Sequence, residues 1–154
     1  MNEGTKAMKK KNDRSGGTQV QCVYVEDRIG NKVNDVEIHD PTLKQVVQAV
    51  RRLNGKNTTM VTMELEGKRL CIAGGTKGRY VAELTYGIDD AFYTLLHSRE
   101  PVKPGGSEVE LVTGQQAVTA PGREVLDLRT VMKAVEHFAN HGTMCSTLIW
   151  RKHK

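Results

Sequence analysis

At 154 residues and 17.1 kDa the chain has the size of one domain, long enough to bury a core without disulfides or a structural metal. Hydrophobic residues make up 38% and charged residues 27%, a soluble composition, and no apolar run approaches the roughly 18 residues of a membrane span. The net charge of +5 excludes less than it suggests: residues 1–18 carry +3 and the last four residues another +3, which leaves −1 for residues 19–150. The sequence pI of 9.2 therefore describes the two ends and not a basic nucleic-acid surface across the body.

Residues 1–18 hold almost no apolar side chains and predict a disordered basic tail, followed by a single domain over 19–154. QVQCVYV from Gln19 alternates and reads as a strand. Gly30-Asn31-Lys32 is a turn, and Val33, Val36 and Ile38 give a weaker second strand. Asp40-Pro41 reads as a helix start, with Asp40 as cap and Pro41 at the first helical position. Leu43, Val46, Val47, Val50 and Leu53 then form one apolar stripe, with Gly55 as its stop. Short extended runs follow at 60–65, 69–73, 80–86 and 91–96, joined by Gly-rich connections of a few residues, which predicts antiparallel pairing. Residues 103–107 are a loop, Glu108 to Val112 is a strand with one wet face, and Gly114-Gln115-Gln116 turns into another extended segment ending near Pro121. The last helix carries Leu128, Val131, Met132, Val135, Phe138 and Ala139 on one face, begins at the cap Asp127 and ends at Asn140-His141-Gly142. Thr147 to Trp150 closes the chain as a strand. The expected fold is α+β, a meandering and mostly antiparallel sheet with two main helices packed on one face.

Few motifs point to chemistry. Gly74-Gly75-Thr76-Lys77-Gly78-Arg79 lacks the spacing of a phosphate-binding loop and is followed by a strand, so it reads as a hairpin connection. His137 and His141 stand one helical turn apart but have no third ligand, and no metal or cofactor site is read. His39 beside Asp40, and Asp89-Asp90 near His97, are acid–base pairs on paper without a nucleophile, so no enzyme is expected. Trp150 is expected at the edge of the core. Cys22, Cys71 and Cys145 are odd in number, widely spaced and form no CxxC pair. With no secretory signal after the basic start, they read as reduced thiols of a cytoplasmic protein, Cys22 and Cys71 as small core residues.

The order of several short segments goes further. Leu111-Val112-Thr113-Gly114-Gln115, then Ala120-Pro121, then Val125 to Phe138, and finally Gly142 and Trp150 in the spacing F-x3-G-x7-W, resemble the Imm1 family of bacterial immunity proteins. Leu70-Cys71-Ile72-Ala73-Gly74-Gly75 followed by Gly78-Arg79-Tyr80-Val81 is similar to the middle hairpin of that family. The resemblance spans roughly residues 33–150.

It implies a non-enzymatic protein, encoded beside a polymorphic toxin, that neutralises the toxin by binding. The toxins of such systems are frequently nucleic-acid deaminases. A deaminase must admit a base to a zinc pocket and hold an anionic backbone, so an inhibitor can occlude that mouth and set carboxylates against the basic groove. Asp89, Asp90, Glu108 and Glu110 are the expected partner-binding carboxylates. The expected partner is thus the C-terminal domain of a cognate toxin, with no small-molecule substrate and no membrane. The alternative is a small nucleic-acid-binding module acting through the two basic ends, which predicts steep salt dependence.

Overall fold

A computed structural model describes residues 17–87, 91–97 and 108–153. Seven strands form one antiparallel sheet: β1 (Cys22–Ile29), β2 (Lys32–His39), β3 (Thr58–Leu65), β4 (Lys68–Gly74), β5 (Tyr80–Tyr86), β6 (Ala91–Leu96) and β9 (Ile149–His153), in the spatial order β2-β1-β3-β4-β5-β6-β9. β7 (Glu108–Thr113) and β8 (Gln116–Pro121) make a separate two-stranded hairpin. Two helices, α1 (Leu43–Arg51) and α2 (Leu128–His141), complete the α+β fold.

Tight turns set the registers. Glu66-Gly67 joins β3 to β4 with both residues at positive φ, 39° and 81°, the conformation that matches strand twist in a two-residue loop. Gly114-Gln115 does the same for β7 and β8, at 55° and 69°. Gly30-Asn31 joins β1 to β2 with the glycine first at φ 63°, which places Cys22 opposite His39 and Tyr24 opposite Glu37.

Alternation along the strands sends one set of side chains to each face. Val23, Val25, Val61, Met63, Leu70, Ile72 and Leu84 point to the helix side and are buried. α1 meets them with Val46, Ala49 and Val50, and α2 with Val131, Met132, Val135, Phe138 and Ala139. Asp127 caps α2 by accepting from the Thr130 N–H at 2.8 Å. Gly142 ends it at φ 71°, donating to the Phe138 carbonyl. A Cβ there would stand 2.7 Å from Leu65 Cδ2, so space as well as backbone requires glycine.

Four local expectations are corrected. The cap of α1 is Thr42, not Asp40: the Thr42 hydroxyl accepts from Gln45 N–H while the Gln45 side chain accepts from Thr42 N–H, a reciprocal capping box. Asp40 instead turns the chain out of β2 at φ 48°. α1 also stops at the Arg52 cap, before Gly55. The first strand begins at Cys22, because Val20 leaves the alternation to enter the helix-side core. Gly17 and Thr18, placed with the tail by composition, join the fold: Gly17 bridges to Thr42, and the Thr18 hydroxyl donates to the Pro41 carbonyl at 3.2 Å. The rest of that tail, residues 1–16, and the loop at 103–107 lie outside the described residues.

The β7–β8 hairpin packs on the sheet face opposite the helices. Its turn is pinned where Gln115 N–H and Nε2 both donate to Thr59 Oγ1, at 2.9 and 3.1 Å. Leu111, 2% exposed, lies over Gly74. The chain then returns to the main sheet through reciprocal backbone bonds between Tyr80 and Leu126.

Candidate partner-binding face

The sheet face without helices is polar and open. The cross-strand registers put Asp35, Glu37 and His39 of β2, Cys22, Tyr24 and Glu26 of β1, and Met60, Thr62 and Glu64 of β3 on this side. Cys71 and Ala73 of β4, Val81 and Glu83 of β5, Phe92 and Thr94 of β6, and Arg151 and His153 of β9 continue it. Carboxylates outnumber guanidiniums: Glu26, Asp35, Glu37, Glu64, Glu83 and the adjacent Glu124 stand against Arg28, Arg69 and Arg151. Arg28 is exposed, Arg69 pairs with Glu64 at 3.4 Å and Arg151 with Glu124 at 2.8 Å. The outward sides of the helices carry an excess of the opposite sign, with exposed Lys44, Arg51, Arg129 and Lys133 against Glu136 and the cap Asp127.

Under the hairpin the open face deepens into a cleft of about 230 Å³. Met60, Cys71, Ala73, Val81 and Glu83 form its floor, and Thr113, Val118 and Ala120 of the hairpin form its roof. At its polar end the Thr94 hydroxyl is 2.6 Å from His153 Nε2, and the Phe92 and His153 rings stack at 4.5 Å between centroids. Burial raises the Glu83 carboxyl above the ordinary carboxylate range; His153 opposes that shift and Glu124 reinforces it. Burial likewise pushes the Cys71 thiol up to about 11, against a smaller lowering by its Thr62 hydrogen bond. At neutral pH Cys71 is therefore a protonated thiol, a poor nucleophile. Glu26 is raised by burial and by Asp35 beside it. The cleft offers shape and negative charge to a ligand surface, not an activated group.

The expected binding carboxylates divide. Glu108 and Glu110 share the exposed outer face of β7, away from the cleft and on the same side of the molecule as the open sheet face. Asp89 and Asp90 lie outside the described residues. Cys71 belongs to the cleft floor and not to the core, which corrects the expectation for that residue; Cys22 is buried as expected, but on the open face. Trp150 is half-buried against the core and donates its Nε1–H to the Cys145 carbonyl at 3.1 Å. Gly75-Thr76-Lys77-Gly78 forms a turn of 3-10 helix leading into β5, as a hairpin connection should. His137 is occupied with the Thr143 hydroxyl at 3.0 Å. The carboxylates of the open face were missed because each strand alone shows only a wet side; pairing brings them onto one surface.

The structure is a helix-backed sheet with a charged, recessed open face. The sequence matches the immunity protein Imm1 family over residues 34–152, most of the chain, and the chain belongs to that family. Membership makes it an immunity protein and implies a cognate toxin protein as its partner. Comparison with curated proteins and with solved structures found no match. Among the described residues no helix is long and apolar enough to cross a membrane.

Proposed function

We propose that the chain neutralises a nucleic-acid deaminase toxin in the cytoplasm of the producing cell by docking its acidic open side over the toxin's substrate groove. The observation that carries this reading is the segregation of charge: carboxylates on the open sheet face and on the outer face of β7, cations on the outward faces of the helices. An enzyme that binds a polyanion presents a basic groove. Opposed acidic and basic surfaces steer encounter and fix orientation. Glu108 and Glu110, exposed on β7, and Asp89 and Asp90 are proposed as toxin-binding carboxylates. The proposed role is binding without catalysis: the cleft's cysteine is held protonated, and its neighbour Arg151 is paired with Glu124.

The test is capture followed by inhibition. The tagged chain is expressed in its host and washed at high salt, and the retained partner is identified and assayed for deamination of single-stranded DNA and RNA with and without the chain. One stoichiometric partner whose deaminase activity the chain abolishes is the expected result. A stoichiometric toxin of another chemistry overturns the deaminase assignment and leaves the immunity role. Nucleic acid that leaves with salt would make the basic ends the working parts. Replacing Asp89, Asp90, Glu108 and Glu110 together by Lys should slow association; unchanged kinetics would remove these residues from the interface.

A further inference from the structure

At the β1–β2 edge of the open face, remote from the cleft, three side chains of different chemistry converge. The Gly30-Asn31 turn sets Cys22 directly across from His39. Alternation along β2 puts Glu37 on the same face as His39. The Cys22 sulfur, a His39 ring nitrogen and a Glu37 carboxylate oxygen all lie within 4.8 Å of one another. Within that group His39 Nε2 stands 3.2 Å from Glu37 Oε1.

We propose that Cys22, Glu37 and His39 bind a zinc-class divalent cation. Thiolate, imidazole and carboxylate are the donor types of zinc, and bond lengths of roughly 2.0–2.3 Å put the ligand atoms of a tetrahedral site about 3.3–3.8 Å apart. The imidazole and carboxylate stand 3.2 Å apart, just under that spacing, and the sulfur has at most about an ångström to close to reach it. The donor set is too soft for magnesium or calcium, which take oxygen ligands. Binding replaces the thiol proton: the S–H bond breaks, a sulfur–metal bond forms and the proton leaves to solvent. The thiolate and the Glu37 carboxylate then balance the charge of the dication.

The surroundings suit this role. Cys22 is 6% exposed and anchors the site from the protein side, whereas the His39 and Glu37 side chains are 69% and 52% exposed and leave an approach from solvent. The Cys22 sulfur stands 3.9 Å from the Val23 carbonyl oxygen. Glu64, opposite Cys22 on β3, is occupied with Arg69. Three protein ligands leave a fourth position for water or for a side chain of a docked partner. Sequence spacing conceals the site, because its ligands come from two strands and meet only in the hairpin register.

Cobalt(II) tests the site without any toxin. The full chain is reduced with a phosphine and titrated with cobalt, and the thiolate-to-cobalt charge-transfer band is followed in the near ultraviolet. The expected result is saturation at about one equivalent, with the band removed by added zinc. Cys22→Ser and His39→Ala abolish the band, and Glu37→Gln weakens cobalt binding at least roughly tenfold. Cys71→Ser, Cys145→Ser and His137→Ala retain it. His39→Ala changes an exposed side chain, so circular dichroism should show it folded. No band in the parent protein, or a band that survives Cys22→Ser or His39→Ala, overturns the proposal. A band lost only with His137 or Cys145 would place the metal elsewhere and also overturns it.

Discussion

The two faces of the seven-stranded sheet obey different rules. On the helix side β1 to β6 contribute branched or aliphatic side chains and β9 contributes Trp150, and Phe138, 1% exposed, fills the space between α2 and the sheet. On the open side the same strands contribute carboxylates, hydroxyls, two thiols and two histidines at opposite edges, and the β7–β8 hairpin covers part of it. One face holds the fold, and the other is the face proposed to meet the toxin. The charge follows the same division, acidic on the open side and basic on the outer helix surfaces.

That division is sharpened most by truncating the core. Phe138→Ala should lower the unfolding free energy by about 3–5 kcal/mol in urea titration, while the folded fraction keeps its affinity for the toxin domain. A loss of affinity without a loss of stability would reverse the roles of the faces. A smaller effect comes from the cap of α2. Asp127→Ala should cost about 1 kcal/mol at neutral pH. The hydrogen bond from Thr130 N–H holds the Asp127 carboxyl below its ordinary range. Its contribution is therefore complete above the unfolded carboxylate pKa and is lost as pH falls through the lower folded value. The gap between parent and variant should close in acid, which urea titrations across the acidic range would show.

Glu83 supplies the opposite sign and the smallest effect. Its folded pKa is raised, first by burial, so protonation favours the native state and the native state is penalised as pH rises through that value. Glu83→Gln should raise the melting temperature slightly at neutral pH and lose that advantage below the ordinary carboxylate range. The same substitution should weaken toxin binding, which a thermal melt paired with a binding isotherm would separate. A gain in stability with unchanged affinity would place the cleft outside the interface.

The helix side was legible in the sequence because periodicity is a property of one segment. The stripe from Leu43 to Leu53 and the stripe from Leu128 to Ala139 both pack as the spacing predicts. Strands β3 to β6 fall within two residues of their expected limits, since Gly-rich turns punctuate them. Legibility failed where a tertiary contact competes with a local signal. Asp40-Pro41 has the composition of a helix start, but the pairing of β1 and β2 runs to His39, and Thr42 completes a box with Gln45 that Asp40 has no equivalent for. The separation of β7–β8 from the main sheet depends on the docking of Gln115 onto Thr59, a contact between residues far apart in the chain. The open face was the least legible part. Glu26, Glu64 and Glu83 come from three different strands and join Asp35 and Glu37 of β2 only through the registers of successive pairs. Glu108 and Glu110 were visible beforehand because they share one strand.

The most direct measurement compares charge reversals on the two sides against the captured toxin domain. One variant carries Asp35→Lys, Glu108→Lys and Glu110→Lys; the other carries Lys44→Glu, Arg129→Glu and Lys133→Glu. All six positions are exposed, so both variants should fold. With the acidic side as the docking surface, the first variant should associate at least roughly tenfold more slowly at low salt, with the difference shrinking as salt rises, and the second should bind like the parent. Slowed association confined to the helix-side variant would contradict the assignment of the open face.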